Sequence, residues 1–166
     1  MIKDRIKILK SYFTKLNIDG YIIPKNDEFF GEYVSKQNDR LNFISGFNGS
    51  YGFALVLRNK NYLFVDGRYS LQAKNQSGKL FKIITIPDKM PSDILEGKAI
   101  SIGFDPNLFT ARSLYIFFGK NKLKLKPIFR NLIDEIWERK IIKNDRKFYL
   151  LPNKAISEKY NYKIDK

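Results

Sequence analysis

The sequence contains no histidine and no cysteine among its 166 residues. Without histidine there is no imidazole to act as a general base near neutral pH, and neither a Ser-His-Asp nor a Cys-His catalytic arrangement can form. The two commonest zinc-binding side chains are missing as well. Any catalysis by this chain would therefore depend on carboxylates, lysines or tyrosines.

Long apolar runs are absent too, and none approaches the ~20 residues that a membrane-spanning helix needs. Charged residues interrupt the first twenty positions, so the pattern of a secretory signal is not present. Because there is no cysteine, the chain cannot form disulfides. Together these absences predict a soluble cytoplasmic protein without a membrane partner.

Acidic residues are scarce relative to basic ones, 17 against 31, which gives a net charge of +14. Such an excess is typical of proteins that bind nucleic acid. Lysine, however, outnumbers arginine 23 to 8 and is spread along the chain, whereas base and phosphate recognition relies on the planar fork of arginine. We therefore predict no nucleic-acid partner. A stand-alone basic module that binds nucleic acid or an acidic protein remains the alternative function.

Hydrophobic residues make up 43% of the chain, enough for one well-packed domain. They recur every three or four positions over residues 2–16, which predicts an amphipathic helix, and a short buried strand follows. This order indicates an α/β fold. Strands are predicted at residues 21–24, 52–58, 62–66, 80–86, 99–104 and 120–128, and helices at 68–76, 91–95, 106–118 and 131–140.

Polar segments separate and follow these elements. Residues 25–40 predict a loop with a short helical piece, and residues 59–61 predict the turn of a hairpin. Residues 140–166 lack a core pattern. We therefore expect one domain over residues 1–139 and a linker toward a missing second domain over residues 140–166.

Three glycines, Gly46, Gly49 and Gly52, fall within the stretch RLNFISGFNGSYG at residues 40–52, together with Ser50. A P-loop would need a lysine after the glycines, and no lysine follows them here. A dinucleotide-binding loop would need a following helix, whereas a strand is predicted to follow this stretch. Ser50 lacks a histidine base and the G-x-S-x-G order of a nucleophile turn. The glycines are therefore predicted to shape the backbone where the chain turns into the next strand.

A second candidate site follows the strand at residues 62–66. Asp66 can cap the next helix, Gly67 allows the turn, and Arg68 can pair with a carboxylate. Gln72 lies four residues after Arg68, on the same helical face. Although α/β proteins place ligand sites at strand ends, a capped strand-to-helix junction explains all of these residues without a ligand.

Charged side chains elsewhere have simpler interpretations. Lys122, Lys124 and Lys126 alternate along the last predicted strand and indicate an edge strand whose lysines block further pairing. The acidic pairs at residues 27–28 and 134–135 are sequence neighbours, so the two side chains of each pair do not converge on one helical face. They predict no metal site.

Taken together, these segments resemble the N-terminal, creatinase-type domain of Xaa-Pro aminopeptidases (aminopeptidase P), in particular that of the long three-domain members. Two linked motifs carry the resemblance, and residues 20–24, 131–137 and 150–159 also fit, so it covers nearly the whole chain. The motifs are Arg40-Leu41, Ile44-Ser45-Gly46-Phe47, Gly49-Ser50 and Gly52, followed by Asp66-Gly67-Arg68-Tyr69 with Gln72-Ala73.

The resemblance implies a helix-flanked mixed β-sheet with ribonuclease H-like layering. In the family, the N-terminal residue preceding proline is removed by a separate C-terminal domain, where two Asp, one His and two Glu hold two divalent metal ions, usually manganese. This chain has no histidine and departs from that pattern. The resemblance thus implies a non-catalytic domain without a cofactor of its own, which supports a homodimer of the parent and restricts access to its active site.

The resemblance also implies roles for single residues. Arg40, Asn42 and Phe47 are expected near the interdomain surface or the mouth of the active site, and no residue is expected to be catalytic or to bind metal. An enzyme in its own right, using carboxylates with lysine or tyrosine, stays open as a further possibility. The expected structural motif comprises Gly46, Gly49, Ser50, Gly52, Asp66, Gly67, Arg68, Tyr69 and Gln72.

Overall fold

The structure is a computed structural model that describes residues 1–31, 33–119, 123–139, 151–156, 158 and 160–165. Six strands in these residues form one sheet in the order β4-β3-β2-β1-β5-β6, where β1 is Gly20–Pro24, β2 Gly52–Leu57, β3 Asn61–Asp66, β4 Lys82–Ile86, β5 Ser101–Phe104 and β6 Lys124–Pro127. Strand β2 is antiparallel to both of its neighbours, and all other pairs are parallel. The predicted mixed sheet is confirmed.

Helices accompany the sheet, and the first of them shows the predicted amphipathic pattern, with Ile6, Leu9 and Phe13 buried. The helices are α1 (Ile2–Lys15), α2 (Arg40–Ser45), α3 (Ser70–Ser77), α4 (Pro91–Ile94), α5 (Ala111–Phe118), α6 (Leu132–Ile136) and α7 (Tyr160–Ile164). Short 3₁₀ helices lie at Gly67–Tyr69, Pro106–Leu108 and Asn153–Ala155. None of the described helices combines the length and apolar character that crossing a bilayer requires.

Two hydrophobic clusters cover the two faces of the sheet. Tyr21 and Ile23 point into the cluster that contains α1, α2, α3 and α6, while Ile22 between them points into the cluster that contains α5. Side chains alternate between faces along a strand, so covering both faces buries every residue of β1. This explains why β1 is a continuous apolar run.

The predicted helix at residues 106–118 is wrong as one element, because two caps divide it. The Asp105 side chain accepts a hydrogen bond from the backbone N–H of Asn107 and starts the 3₁₀ helix Pro106–Leu108. The chain is then extended at Phe109, and the Thr110 hydroxyl caps α5 by accepting from the N–H of Ser113. Each cap accepts a hydrogen bond from a backbone N–H at the start of its own helix that would otherwise lack a partner.

Helices α6 and α2 also differ from the prediction. The last predicted helix continues to residue 140, but α6 ends at Ile136, and Trp137 takes an extended conformation and stacks on Phe43 with ring centroids 4.5 Å apart. Helix α2 was not predicted within residues 40–52. It forms because Asp39 caps its start and Gly46, at φ 79°, ends it in the left-handed region.

The edge position predicted for the lysine-bearing strand is confirmed, since β6 is the last strand of the sheet. Of its lysines, Lys126 does not simply face solvent: its Nζ donates to the carbonyl of Leu16 at 2.9 Å. Lys122 lies outside the described residues, as does residue 140 with most of the segment that follows. The boundary at residue 139 and the linker therefore stay predictions.

The packing of α1 on the sheet leads to a stability prediction. Phe13 is fully buried, whereas Ile8 on the same helix is 48% exposed. Phe13→Ala is expected to lower the free energy of unfolding by about 3–5 kcal/mol, and Ile8→Ala by less than about 1 kcal/mol. Chemical denaturation of the 166-residue chain measures both. Equal losses for the two variants would show that α1 does not pack as described.

Candidate functional site

All strands of the described sheet except β2 point the same way and end at one edge, here called the carboxyl edge. The carboxyl ends of strands are where α/β proteins bind ligands. Both predicted motifs lie at this edge, because residues 46–51 lead into β2 and residues 66–69 follow β3. The edge is therefore the candidate functional site.

Helix α2 and the glycines after it set the course of the first motif. A side chain on Gly46 would be strained by its positive φ, and a Cβ on Gly52 would lie 2.7 Å from the carbonyl oxygen of Phe64 on the paired strand. Gly52 therefore allows β2 and β3 to approach closely. The backbone geometry at Gly46 and the close approach at Gly52 therefore explain both glycines as structural residues.

Hydrogen bonds join the first motif to the second. The hydroxyls of Ser50 and Tyr69 lie 2.7 Å apart. The side-chain oxygen of Asn48 accepts from Nε2 of Gln72 at 2.6 Å and from Nε2 of Gln76 at 2.9 Å. The loop before β2 is thus fastened to α3 and to the 3₁₀ turn that precedes it.

Asp66 and Arg68 form a local pair on the solvent side of the edge. The Asp66 carboxylate accepts from the backbone N–H of Arg68 at 2.9 Å and from its Nε at the same distance. The hydrogen bond from Arg68 lowers the pKa of the Asp66 carboxyl, and the same pairing raises the pKa of the guanidinium. Arg68 is 76% exposed, so its guanidinium is accessible to a partner.

Arg40 is buried and binds two carboxylates from distant parts of the chain. Its Nε and Nη2 each donate to Asp134 at 2.8 Å, and Nη2 also donates to Glu28 at 2.5 Å. Arg139 donates to the same Asp134 and, at 3.1 Å, to the carbonyl of Gln37. This group, called the Arg40 clamp, ties the loop after β1 to α2 and α6.

The three residues expected near the interdomain surface thus have different positions. The side chain of Arg40 is only 3% exposed and belongs to the clamp, and Phe47 is fully buried in the core. Asn42 is partly exposed and lines a cleft at the carboxyl edge. Contact of these residues with another domain stays a prediction, for which Asn42 is the accessible member.

Two adjoining depressions at the carboxyl edge share Lys25, Tyr33, Val34 and Ser50, and together they form the edge cleft. Their volumes are about 450 Å³ and 540 Å³. The smaller part, called the polar part for its mostly polar residue types, is lined also by Lys36, Asp39, Asn42 and Asn48. The larger part is mostly apolar and is lined also by Phe30, Tyr51, Phe53, Phe109 and Phe117.

The described residues at the edge cleft carry few side chains of the kind that bind metal ions. The described residues contain no group of three His, Cys, Asp or Glu side chains that would hold a metal ion. Asp39, the acidic residue of the cleft, is engaged by Lys25 at 2.6 Å and caps α2. The residues present therefore do not fit a dinuclear metal centre.

The Arg40 clamp leads to a second stability prediction. Arg40→Met leaves Glu28 and Asp134 without their buried cation and is expected to cost about 2–3 kcal/mol, less than a fully buried pair because both carboxylates are partly exposed. Arg130 is the matched control: it pairs with Glu135 at 2.8 Å but is 83% exposed. Arg130→Met should cost less than about 0.5 kcal/mol in the same denaturant titration.

The clamp also predicts a pH dependence. Partial burial raises the pKa of Glu28, but the hydrogen bond and charge of Arg40 outweigh this, and the net pKa is lowered. A carboxyl with a lowered folded-state pKa stabilises the protein above its unfolded pKa of about 4.3, and this stability is lost as the pH falls through the folded value. The stability difference between wild type and Glu28→Gln should be largest at pH 7 and shrink toward pH 3. A difference that is unchanged between these pH values would contradict the pairing.

Several curated proteins are similar to this chain over part of their length. A probable Xaa-Pro aminopeptidase P from Coprinopsis cinerea is 34% identical over 144 residues, which are 80% of this chain and 23% of the relative. Aminopeptidase P1 from Lotus japonicus is 36% identical over 129 residues, 72% of this chain and 19% of the relative. The chain thus spans about a quarter or less of these curated relatives.

Solved structures agree in fold. The crystal structure of X-prolyl aminopeptidase from Caenorhabditis elegans, described as a cytosolic enzyme with a dinuclear active site, superposes with a TM-score of 0.74 at 31% identity, over 82% of this chain and 25% of that one. The isolated N-terminal domain of the cytoplasmic peptidase PepQ from Mycobacterium tuberculosis gives a TM-score of 0.61 at 20% identity, over 81% of this chain and 98% of that one. The latter shows the fold alone.

Most of the chain matches one known protein family. Residues 5–124 match the Creatinase/Prolidase N-terminal domain, and this match includes both linked motifs and five complete strands of the sheet. The resemblance inferred from residues 40–73 is confirmed. With its mixed sheet, its motifs and its relatives in agreement, the chain belongs to the creatinase/prolidase N-terminal domain family.

Proposed function

We propose that this chain is the non-catalytic N-terminal domain of a cytoplasmic Xaa-Pro aminopeptidase, an enzyme that removes the N-terminal residue preceding proline. The observation that carries the proposal is the match of residues 5–124 to an N-terminal domain family. Relatives named Xaa-Pro aminopeptidase P support it, because this chain corresponds to only about a quarter of their length. Such an enzyme would carry its catalytic residues in the remainder.

The side chains support a non-catalytic role. The sequence has no histidine or cysteine, and the carboxylates of the Arg40 clamp are engaged by arginines. Burial raises the pKa of Tyr21, whose hydroxyl accepts from the N–H of Leu132 inside the core. Tyr21 therefore belongs to the core rather than to an accessible site. In the proposed parent, two divalent metal ions, manganese by family resemblance, would activate a water molecule in the C-terminal domain.

Access to that active site is the role proposed for the carboxyl edge. The loop before β2 and α3 are joined by the Asn48 and Ser50 hydrogen bonds, and the loop after β1 is held by the Arg40 clamp. A rigid wall of this kind beside the catalytic mouth would admit short extended peptides and exclude folded chains. Exposed apolar side chains such as Phe29, at 85% exposure, would support a homodimer of the parent.

The first test concerns the isolated chain. Incubated with manganese and a fluorogenic peptide with proline in the second position, the purified 166 residues are expected to release no more product than buffer. A rate above buffer that a chelator abolishes would contradict the non-catalytic assignment.

The second test concerns access in the longer parent protein. Asn42→Trp places a large ring in the edge cleft and is expected to lower kcat/KM for a proline-containing tripeptide about tenfold, equivalent to about 1.4 kcal/mol. Asn59→Trp is the matched control, because Asn59 is exposed in the turn between β2 and β3 at the opposite edge. If both variants kept the wild-type kcat/KM, the carboxyl edge would not border the active site.

A further inference from the structure

Aromatic side chains gather in the apolar part of the edge cleft. Tyr33 is 85% exposed, and Phe30 and Tyr51 are each 51% exposed. Below them Phe53 and Phe117 stack with ring centroids 4.4 Å apart and contribute to the floor. Several exposed rings around one concave surface mark an interaction site more often than scattered single ones do.

The residues just before Phe30 are held in place by hydrogen bonds and an ion pair. Asp27 accepts from the N–H of Phe29 at 3.1 Å, and Asn26 donates to the carbonyl of Leu108 at 3.0 Å. Glu28 is bound by Arg40. With the hydrogen bond from the Phe30 N–H to the carbonyl of Asp27, these contacts position Phe30 before any partner arrives, which lowers the entropic cost of binding.

The charges at the cleft favour a carboxylate. Lys25 is neutralised by Asp39, with both side chains largely buried. Lys36 is exposed, and no carboxylate of the described residues forms an ion pair with it. Among the described residues that line the polar part, Lys36 is therefore a positive charge without an ion-pair partner, and it lies close to the aromatic part because both parts share Tyr33 and Val34.

An extended peptide that contains proline has the complementary chemistry. Proline-rich segments adopt the polyproline II conformation, which has no internal hydrogen bonds and loses little entropy on binding, and they dock on grooves lined by aromatic rings. The free carboxylate of a short peptide complements Lys36. We propose that the edge cleft binds the downstream part of an extended, proline-containing peptide, with its prolines against Phe30, Tyr33 and Tyr51 and its carboxylate at Lys36. That this peptide is a substrate rests on the proposed function.

The test uses the isotope-labelled 166-residue chain and a synthetic hexapeptide of alternating alanine and proline with a free carboxylate. Amide chemical-shift changes are expected at the residues of the cleft. Tyr33→Ser should weaken binding about fivefold or more, or about 1 kcal/mol. Tyr115→Ser is the matched control and should bind as wild type does, because Tyr115 is 74% exposed but does not line the cleft.

A second comparison tests the contact between the peptide carboxylate and Lys36. The wild-type chain should bind the amidated hexapeptide about threefold more weakly than the hexapeptide with a free carboxylate. The Lys36→Gln variant should bind the two peptides equally. Circular dichroism of each variant verifies that the fold is retained.

Several results would overturn the proposal. They are no shift change at millimolar peptide, equal binding of a glycine-serine hexapeptide with the same termini, and shift changes confined to residues outside the cleft. Broadening of the cleft signals with rising protein concentration alone would instead identify a second copy of the chain as the occupant. Failure of peptide binding is distinguishable from failure of the proposed function, which is measured by the Asn42 variant in the parent.

Discussion

The antiparallel pairing of β2 with β3 brings the two motifs together at the carboxyl edge. Its register places Gly52 opposite Val65, so the loop before β2 and the turn after β3 lie side by side. In that register the hydroxyls of Ser50 and Tyr69 come within hydrogen-bond distance. A slip of one residue would also turn buried side chains such as Phe64 to the opposite face of the sheet. The edge cleft and the link to α3 both depend on this pairing.

Much of the fold could be predicted because its signals are local. The apolar run of β1, the hairpin around residues 59–61 and the cap at Asp66 each depend on neighbouring residues, and the structure contains all of them. Helix ends were less predictable. Trp137 leaves α6 to stack on Phe43, which lies far away in sequence, and a helical periodicity carries no information about such a contact.

The site was predicted less completely for the same reason. The acidic pairs at residues 27–28 and 134–135 were set aside because neighbouring carboxylates diverge, yet one member of each pair converges on Arg40 from 12 and 94 residues away. The edge cleft likewise combines residues that are far apart in the chain, from Pro24 to Phe117. The two motifs could be recognised together because the hairpin between them is short, so they lie close to each other in sequence. Buried partners from distant segments require the folded chain.

The clamp, the hairpin and the Asn48 hydrogen bonds hold the segments of the carboxyl edge together, and in the proposed function this surface faces the catalytic domain of the parent. Amide hydrogen exchange, compared between the 166-residue chain and the longer parent, tests this claim most directly. Slower exchange in the parent is predicted at residues 25–52 and 66–76. Slower exchange at residues 58–61 of the opposite edge, with none at the carboxyl edge, would contradict it.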